Sequence, residues 1–224
     1  MVPLLEELLP FWKELTEQQK NSLKDSTVLH TVAQGTMLHS GSDDCVGLLV
    51  LTEGQLRTFI YSDEGREITL YRLFERDICL FSASCIMNSI QFDVSVMAER
   101  QTSFYLIPAK FYHTLMKESA SVANFTNELM ATRFSDVMWL LDQILYKRLD
   151  SRLAALLLEE SALSESNELK TTHEMLAKHL GSAREVVTRM LKYFQAEGAV
   201  ALSRGGILLT DQEKLKSLAQ ESLR

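Results

Sequence analysis

Positive charge, cysteine and long apolar runs are all scarce in this chain, and each shortage narrows what it can be. Its 224 residues hold 23 Lys and Arg against 30 Asp and Glu, a formal charge of −7, which argues against a surface that grips a polyanion along its whole length. Three cysteines, an odd number without framework spacing, exclude a disulfide-stapled extracellular fold and suit a reducing compartment. No apolar run reaches membrane-spanning length and no basic-plus-apolar leader is present, so a cytoplasmic protein without a membrane partner is expected. No Ser/His/Asp set, paired-carboxylate signature or phosphate loop appears. Nothing therefore asks for catalysis or for a metal site. The apolar content, 46%, is ordinary for a globular protein, and the length supports one large or two modest cores.

The most informative stretch is Thr171–Leu209, which reads as a helix-turn-helix followed by a small β-wing. Thr171 or Thr172 caps a short helix whose apolar positions Met175, Leu176 and Leu180 fall at helical spacing. Gly181 breaks it where the backbone needs a positive φ. Ser182 is placed to cap a second helix, with Glu185 completing a capping box. Val186, Val187, Met190, Leu191 and Phe194 form that helix's inward stripe. Gly198 ends it, and two short apolar runs around Gly205–Gly206 make a hairpin. Arg184 and Arg189 can each fork onto guanine O6 and N7, and Glu185 can accept from a cytosine amino group. Thr188, Ser182, Lys192 and the wing's Ser203 and Arg204 suit phosphates, which position a protein without specifying sequence. The charge imbalance resolves on splitting the chain. Residues 170–224 hold nine Lys and Arg against six Asp and Glu, whereas residues 1–169 hold fourteen against twenty-four.

These residues carry a resemblance. Leu176-Ala177, Leu180-Gly181, Arg184-Glu185, Val187, Thr188-Arg189, Leu191, Gly198 and the closing Ile207–Asp211 resemble the Crp/Fnr superfamily of bacterial transcription regulators. The resemblance implies that Arg184, Glu185 and Arg189 take the base-reading positions, with double-stranded DNA and RNA polymerase as partners. Arginine at 184 is similar to the cAMP-receptor-like branch, so half-sites containing guanine, TGTGA-like, are expected.

The N-terminal part is patterned differently. Helical signals appear at Leu4–Leu9 and from Thr16, as cap, to Leu23. Short β-rich segments follow at Val46–Leu51, Leu56–Tyr61, Ile68–Leu73, Phe92–Met97 and Phe104–Ile107, with turn signals between them. Many short strands with regular turns imply a jelly roll. The spacing Gly35, Gly41, Gly54-Gln55-Leu56-Arg57 and Gly65-Arg66-Glu67 resembles the cyclic-nucleotide-binding-type β-roll of the same superfamily.

The signal is left unidentified. Nucleotide-binding members carry a Gly-Glu-Leu and then an Arg-Ser/Thr-Ala segment, which hold the ribose and the cyclic phosphate. Here the first becomes Leu80-Phe81-Ser82 and the second falls near Phe92-Asp93-Val94, so cAMP is disfavoured. An iron–sulfur cluster is disfavoured because only Cys45, Cys79 and Cys85 are available. His30, His39 and His113 stand in no haem motif. Two alternatives stay open: a redox regulator using a Cys79/Cys85 dithiol, and a cyclic-nucleotide-binding regulatory module.

From Ser119 to Tyr146 a helical pattern runs without glycine or proline. Met130, Phe134, Val137, Leu141 and Ile144 step by 4, 3, 4 and 3, the spacing of a coiled-coil seam, and predict a homodimer on an inverted-repeat operator. Phe125, Leu129, Met138 and Leu145 form a second stripe suited to the helix's own β-roll, and Asp150–Leu163 predicts a further helix. The expected fold is therefore α+β. A double-stranded β-helix (jelly-roll) sensor occupies 1–117, a dimerisation helix 118–147 and a winged helix-turn-helix 148–224.

Overall fold

The computed structural model describes residues 3–41, 46–80 and 93–223. It divides into two compact units, one of Met1–Ile60 with Leu70–Val137 and one of Tyr61–Thr69 with Met138–Arg224.

The first unit opens with two short helices, α1 (Leu5–Leu8) and α2 (Glu17–Ser26). Thr16 caps α2 by accepting from the Gln19 backbone, and the Gln19 side chain returns to the Thr16 N–H at 3.0 Å, a complete capping box. Among the described residues eight strands follow: β1 (Val28–Val32), β2 (Met37–Ser40), β3 (Leu48–Glu53), β4 (Leu56–Tyr61), β5 (Glu67–Leu73), β6 (Ile78–Cys79), β7 (Ser95–Ala98) and β8 (Thr102–Ile107), with Tyr61 of β4 and the first three residues of β5 belonging to the second unit. They form two four-stranded sheets, ordered β1-β8-β3-β6 and β2-β7-β4-β5. The jelly-roll expectation is met.

Strand β3 explains its own sequence. Leu49 and Leu51 point into the roll beside Val96, Ala98 and Phe104, while Leu48 and Val50 point outward beneath α1, α2 and the helices after β8. A strand covered on both faces reads as a continuous apolar run rather than an alternating one. Gly54, at φ 94°, makes the turn into β4 where a Cβ would collide with the Gln101 carbonyl oxygen, so only glycine fits.

Helix α3 (Ala109–Glu118) leads into α4 (Ala120–Tyr146), a 27-residue helix close to the span expected. Phe125 and Leu129 pack on the outer core of the roll, and Met130 packs on both the outer and the inner core. Two buried polar side chains of α4, Thr126 and Arg133, have partners in the first unit. The Thr126 and Tyr112 hydroxyls are 2.7 Å apart, and burial pushes the Tyr112 phenol up to about 12. Arg133, only 9% exposed, donates from Nη1 to Asp136 at 3.1 Å and lies 4.7 Å over the Tyr71 ring.

In the second unit α5 (Leu149–Ser164) supplies Leu153, Ala154, Leu156 and Leu157 to a separate core. Around it lie β9 (Glu168–Leu169), α6 (His173–Leu180), α7 (Arg184–Ala196), β10 (Val200–Ser203), β11 (Gly206–Leu209) and α8 (Gln212–Ala219). The strands form one sheet in the order β10-β11-β9. Strand β9 begins at Glu168, between the predicted helix over 150–163 and the helix-turn-helix. A two-residue strand is too short to show a period of two. Asp211 caps α8, accepting from Lys214 N–H at 2.9 Å.

Candidate nucleic-acid interface

Helix α6 starts where Thr172, rather than Thr171, accepts from the Met175 N–H at 3.1 Å. It stops at Gly181, left-handed at φ 65°, whose N–H returns to the Ala177 carbonyl. The Ser182 N–H reaches the same carbonyl at 3.0 Å. This double closure keeps Ser182 in the turn, which corrects one expectation. The N-cap of α7 is Ala183, and no side chain caps that helix. The capping box of Ser182 and Glu185 does not form, because the turn uses one more residue than the sequence pattern implied.

Val187, Leu191 and Phe194 are fully buried against α6 and the wing, at helical steps of four and three. Each such side chain stabilises by about 1.5–3 kcal/mol relative to exposure, enough to fix the rotation of α7 about its axis. That rotation leaves Arg184, Glu185, Arg189 and Lys192 exposed, with Val186 and Met190 at the margin. The α7 N-terminus, with Arg184 and Glu185 in its first turn, presents three donor and acceptor side chains within two helical turns. Ser203 and Arg204 are exposed on the β10–β11 hairpin, whose turn is made by Gly205 at φ 94°. The Ser203 hydroxyl donates within the wing to the Gly206 carbonyl at 3.2 Å.

Sequence reading missed two supports of this site. The Thr188 hydroxyl lies 2.9 Å from His173 Nδ1, so the first turn of α6 holds the middle of α7 by a hydrogen bond as well as by packing. Burial, and then the charge of Arg184, keep the His173 imidazole below its ordinary range, so it bonds Thr188 as a neutral ring. From α5, Arg152 donates to the Leu180 carbonyl at 2.9 Å, placing a cation at the C-terminal end of α6. Neither contact has a local sequence signature, since the partners are 15 and 28 residues apart.

The remaining candidates lie elsewhere. On α4, Phe134 is 68% exposed and Leu141 and Ile144 are 43% exposed, while Val137 and Met130 are partly covered. Met138 and Leu145, expected against the β-roll, are exposed instead. Cys79 is fully buried inside the roll, and Cys85 lies outside the described residues, as do Cys45, Phe81, Ser82 and Phe92. His30 on β1 stacks on Phe104 with centroids 5.8 Å apart, His39 on β2 is buried and His113 lies on α3. Among the described residues no helix is long and apolar enough to cross a membrane.

A Crp-like helix-turn-helix domain matches residues 151–218. The crystal structure of a candidate regulator of the Crp/Fnr family from Eubacterium rectale ATCC 33656 is 57% identical. It covers 96% of this chain and 100% of its own, with a TM-score of 0.94. Among curated proteins, the transcriptional regulator SdrP of Thermus thermophilus is 38% identical over 86 residues, spanning 36% of this chain and 43% of that protein. The cyclic AMP receptor protein of the same organism is 25% identical over 186 residues, covering 83% of this chain and 85% of its own length. With its β-roll, long helix and winged reading head, the chain belongs to the Crp/Fnr family of transcriptional regulators.

Proposed function

We propose that this DNA-binding regulator acts as a homodimer on an inverted-repeat operator, under control of a small-molecule or redox signal received at the β-roll. The observation that carries the reading is the α7 surface: Arg184, Glu185 and Arg189 exposed together on a helix locked by Val187, Leu191 and Phe194. Ser182, Lys192 and Arg204 serve the phosphates, with Thr188 and Ser203 contributing from positions already tied within the fold. Residues 1–117 act as the sensor, 118–147 as the dimerisation helix and 148–224 as the reader, in the cytoplasm, with RNA polymerase as the downstream partner.

Dimerisation is supported by the exposed apolar side chains of Phe134, Leu141 and Ile144, which a solitary helix would leave in water. Signal reception at the roll is supported by polar side chains buried on β4 and β5. Arg57 is fully buried with its guanidinium 4.0 Å over Phe59, and burial, followed by the charge of Cys79, holds the Tyr71 phenol well above its ordinary range.

Selection of bound sequences from a random duplex library tests the reading. Inverted repeats with guanine in each half-site are expected, and recovery of single, guanine-free sites would overturn it.

A further inference from the structure

Three consecutive residues of the β4–β5 hairpin touch the end of α6 and the turn after it, all inside the second unit. Glu67 Oε1 meets Lys178 Nζ at 2.8 Å, with the glutamate side chain only 11% exposed. The Thr69 hydroxyl lies 2.9 Å from His179 Nδ1. Ile68 seats on the turn so closely that a Cβ on Gly181 would come within 2.7 Å of its Cδ1. Gly181 stands three positions before Arg184, so this hairpin sits beside the end of the recognition helix that meets DNA.

The hairpin is a preformed piece. Ser62 N–H donates to the Arg66 carbonyl, and Gly65 N–H to the Ser62 carbonyl, both at 2.8 Å. Its sequence, Tyr61 to Thr69, carries Asp63, Glu64 and Glu67 against Arg66, and the first two acids are exposed. It thus brings net negative charge to the place where phosphates would approach, and it occupies the ammonium of Lys178.

We propose that the β4–β5 hairpin is an autoinhibitory latch on the helix-turn-helix, excluding duplex DNA from the start of α7 until it is released. The proposal rests on α7 being the DNA reader. One ion pair, one hydrogen bond and one apolar seat make a contact that a modest difference in ligand affinity between latched and released states can shift. The hairpin is well placed to respond, because β4 and β5 carry the chain directly into the roll at Ile60 and Leu70.

The test uses the full chain without effector and an operator obtained by selection. Glu67→Gln with Ile68→Ala should bind that operator about tenfold more tightly than the parent, by shifting the population toward release. Amide exchange across 176–183 should quicken in the same variant without DNA. Glu64→Gln makes the same charge change at an exposed hairpin carboxylate that pairs with Arg66 at 2.8 Å, and should stay within about twofold of the parent. Thr69→Val, which removes only the His179 bond, serves where the double variant melts early. Unchanged or weaker binding by the unlatched variants, or an equal gain in Glu64→Gln, overturns the latch while leaving the DNA reading intact. Failure of parent and variants alike to select any sequence overturns the DNA reading, and the inhibitory role with it.

Discussion

Arg184 and Arg189 owe their exposure to apolar residues buried on the other side of their helix. Val187, Leu191 and Phe194 set the rotation of α7, and the arginines fall on the opposite face by period alone. That much was legible in the sequence, because helical spacing and a glycine stop are local signals. Replacing either arginine with alanine should cost about 1–3 kcal/mol of operator binding and relax selection at one guanine, whereas Lys192→Ala should weaken all sequences alike. Competition titrations with single-base operator variants separate the two. The His173–Thr188 bond was not legible, since it depends on how two helices cross. Its imidazole, held below the ordinary value of 6.5 first by burial and then by Arg184, gives a pH signature. The unfolded chain takes up a proton near pH 6.5, and the folded chain resists until lower pH. Stability should therefore hold above pH 6.5 and fall as pH drops below it toward the depressed folded value. Urea titrations between pH 5 and 7.5 should show this slope in the parent and lose it in His173→Gln.

Helix α4 shows why a stripe read from sequence can be sound in register and mistaken in assignment. Spacing located the helix almost to the residue, because no glycine or proline interrupts it. It divided the apolar positions less well. Met130 turns to the roll, whereas Met138 and Leu145 turn to solvent, because the N-terminal half of the helix packs on the roll's cores and residues beyond Val137 belong to the other unit. Arg133 would be marked as solvent-facing by type alone, yet Tyr71 and Asp136 make a buried site for it. Very short strands such as β6 and β9 escaped for another reason: two residues cannot display alternation. Phe134→Glu should place a charge in the proposed dimer seam and yield a monomer by sedimentation, with the helical content of the chain retained. A persistent dimer would move the interface to another surface.

For the molecule as a whole, an acidic chain with a mildly basic reading end is suited to finding a specific site without clinging to bulk DNA. The second unit is also discontinuous in sequence, built from Tyr61–Thr69 and from everything after Val137. Glu67 and Lys178 are 111 residues apart, so their meeting closes a long loop whose entropy must be overcome before the contact contributes. During synthesis the hairpin exists well before its partner leaves the ribosome, and refolding should add this contact late. Ile68→Ala should then speed unfolding while leaving the refolding rate nearly unchanged, measurable as a shift in one limb of the chevron. It follows that cutting the chain at residue 138 cannot liberate this unit intact: a C-terminal fragment lacks nine of its residues, and a fusion partner joined there inherits a bare Gly181 turn where Ile68 belongs.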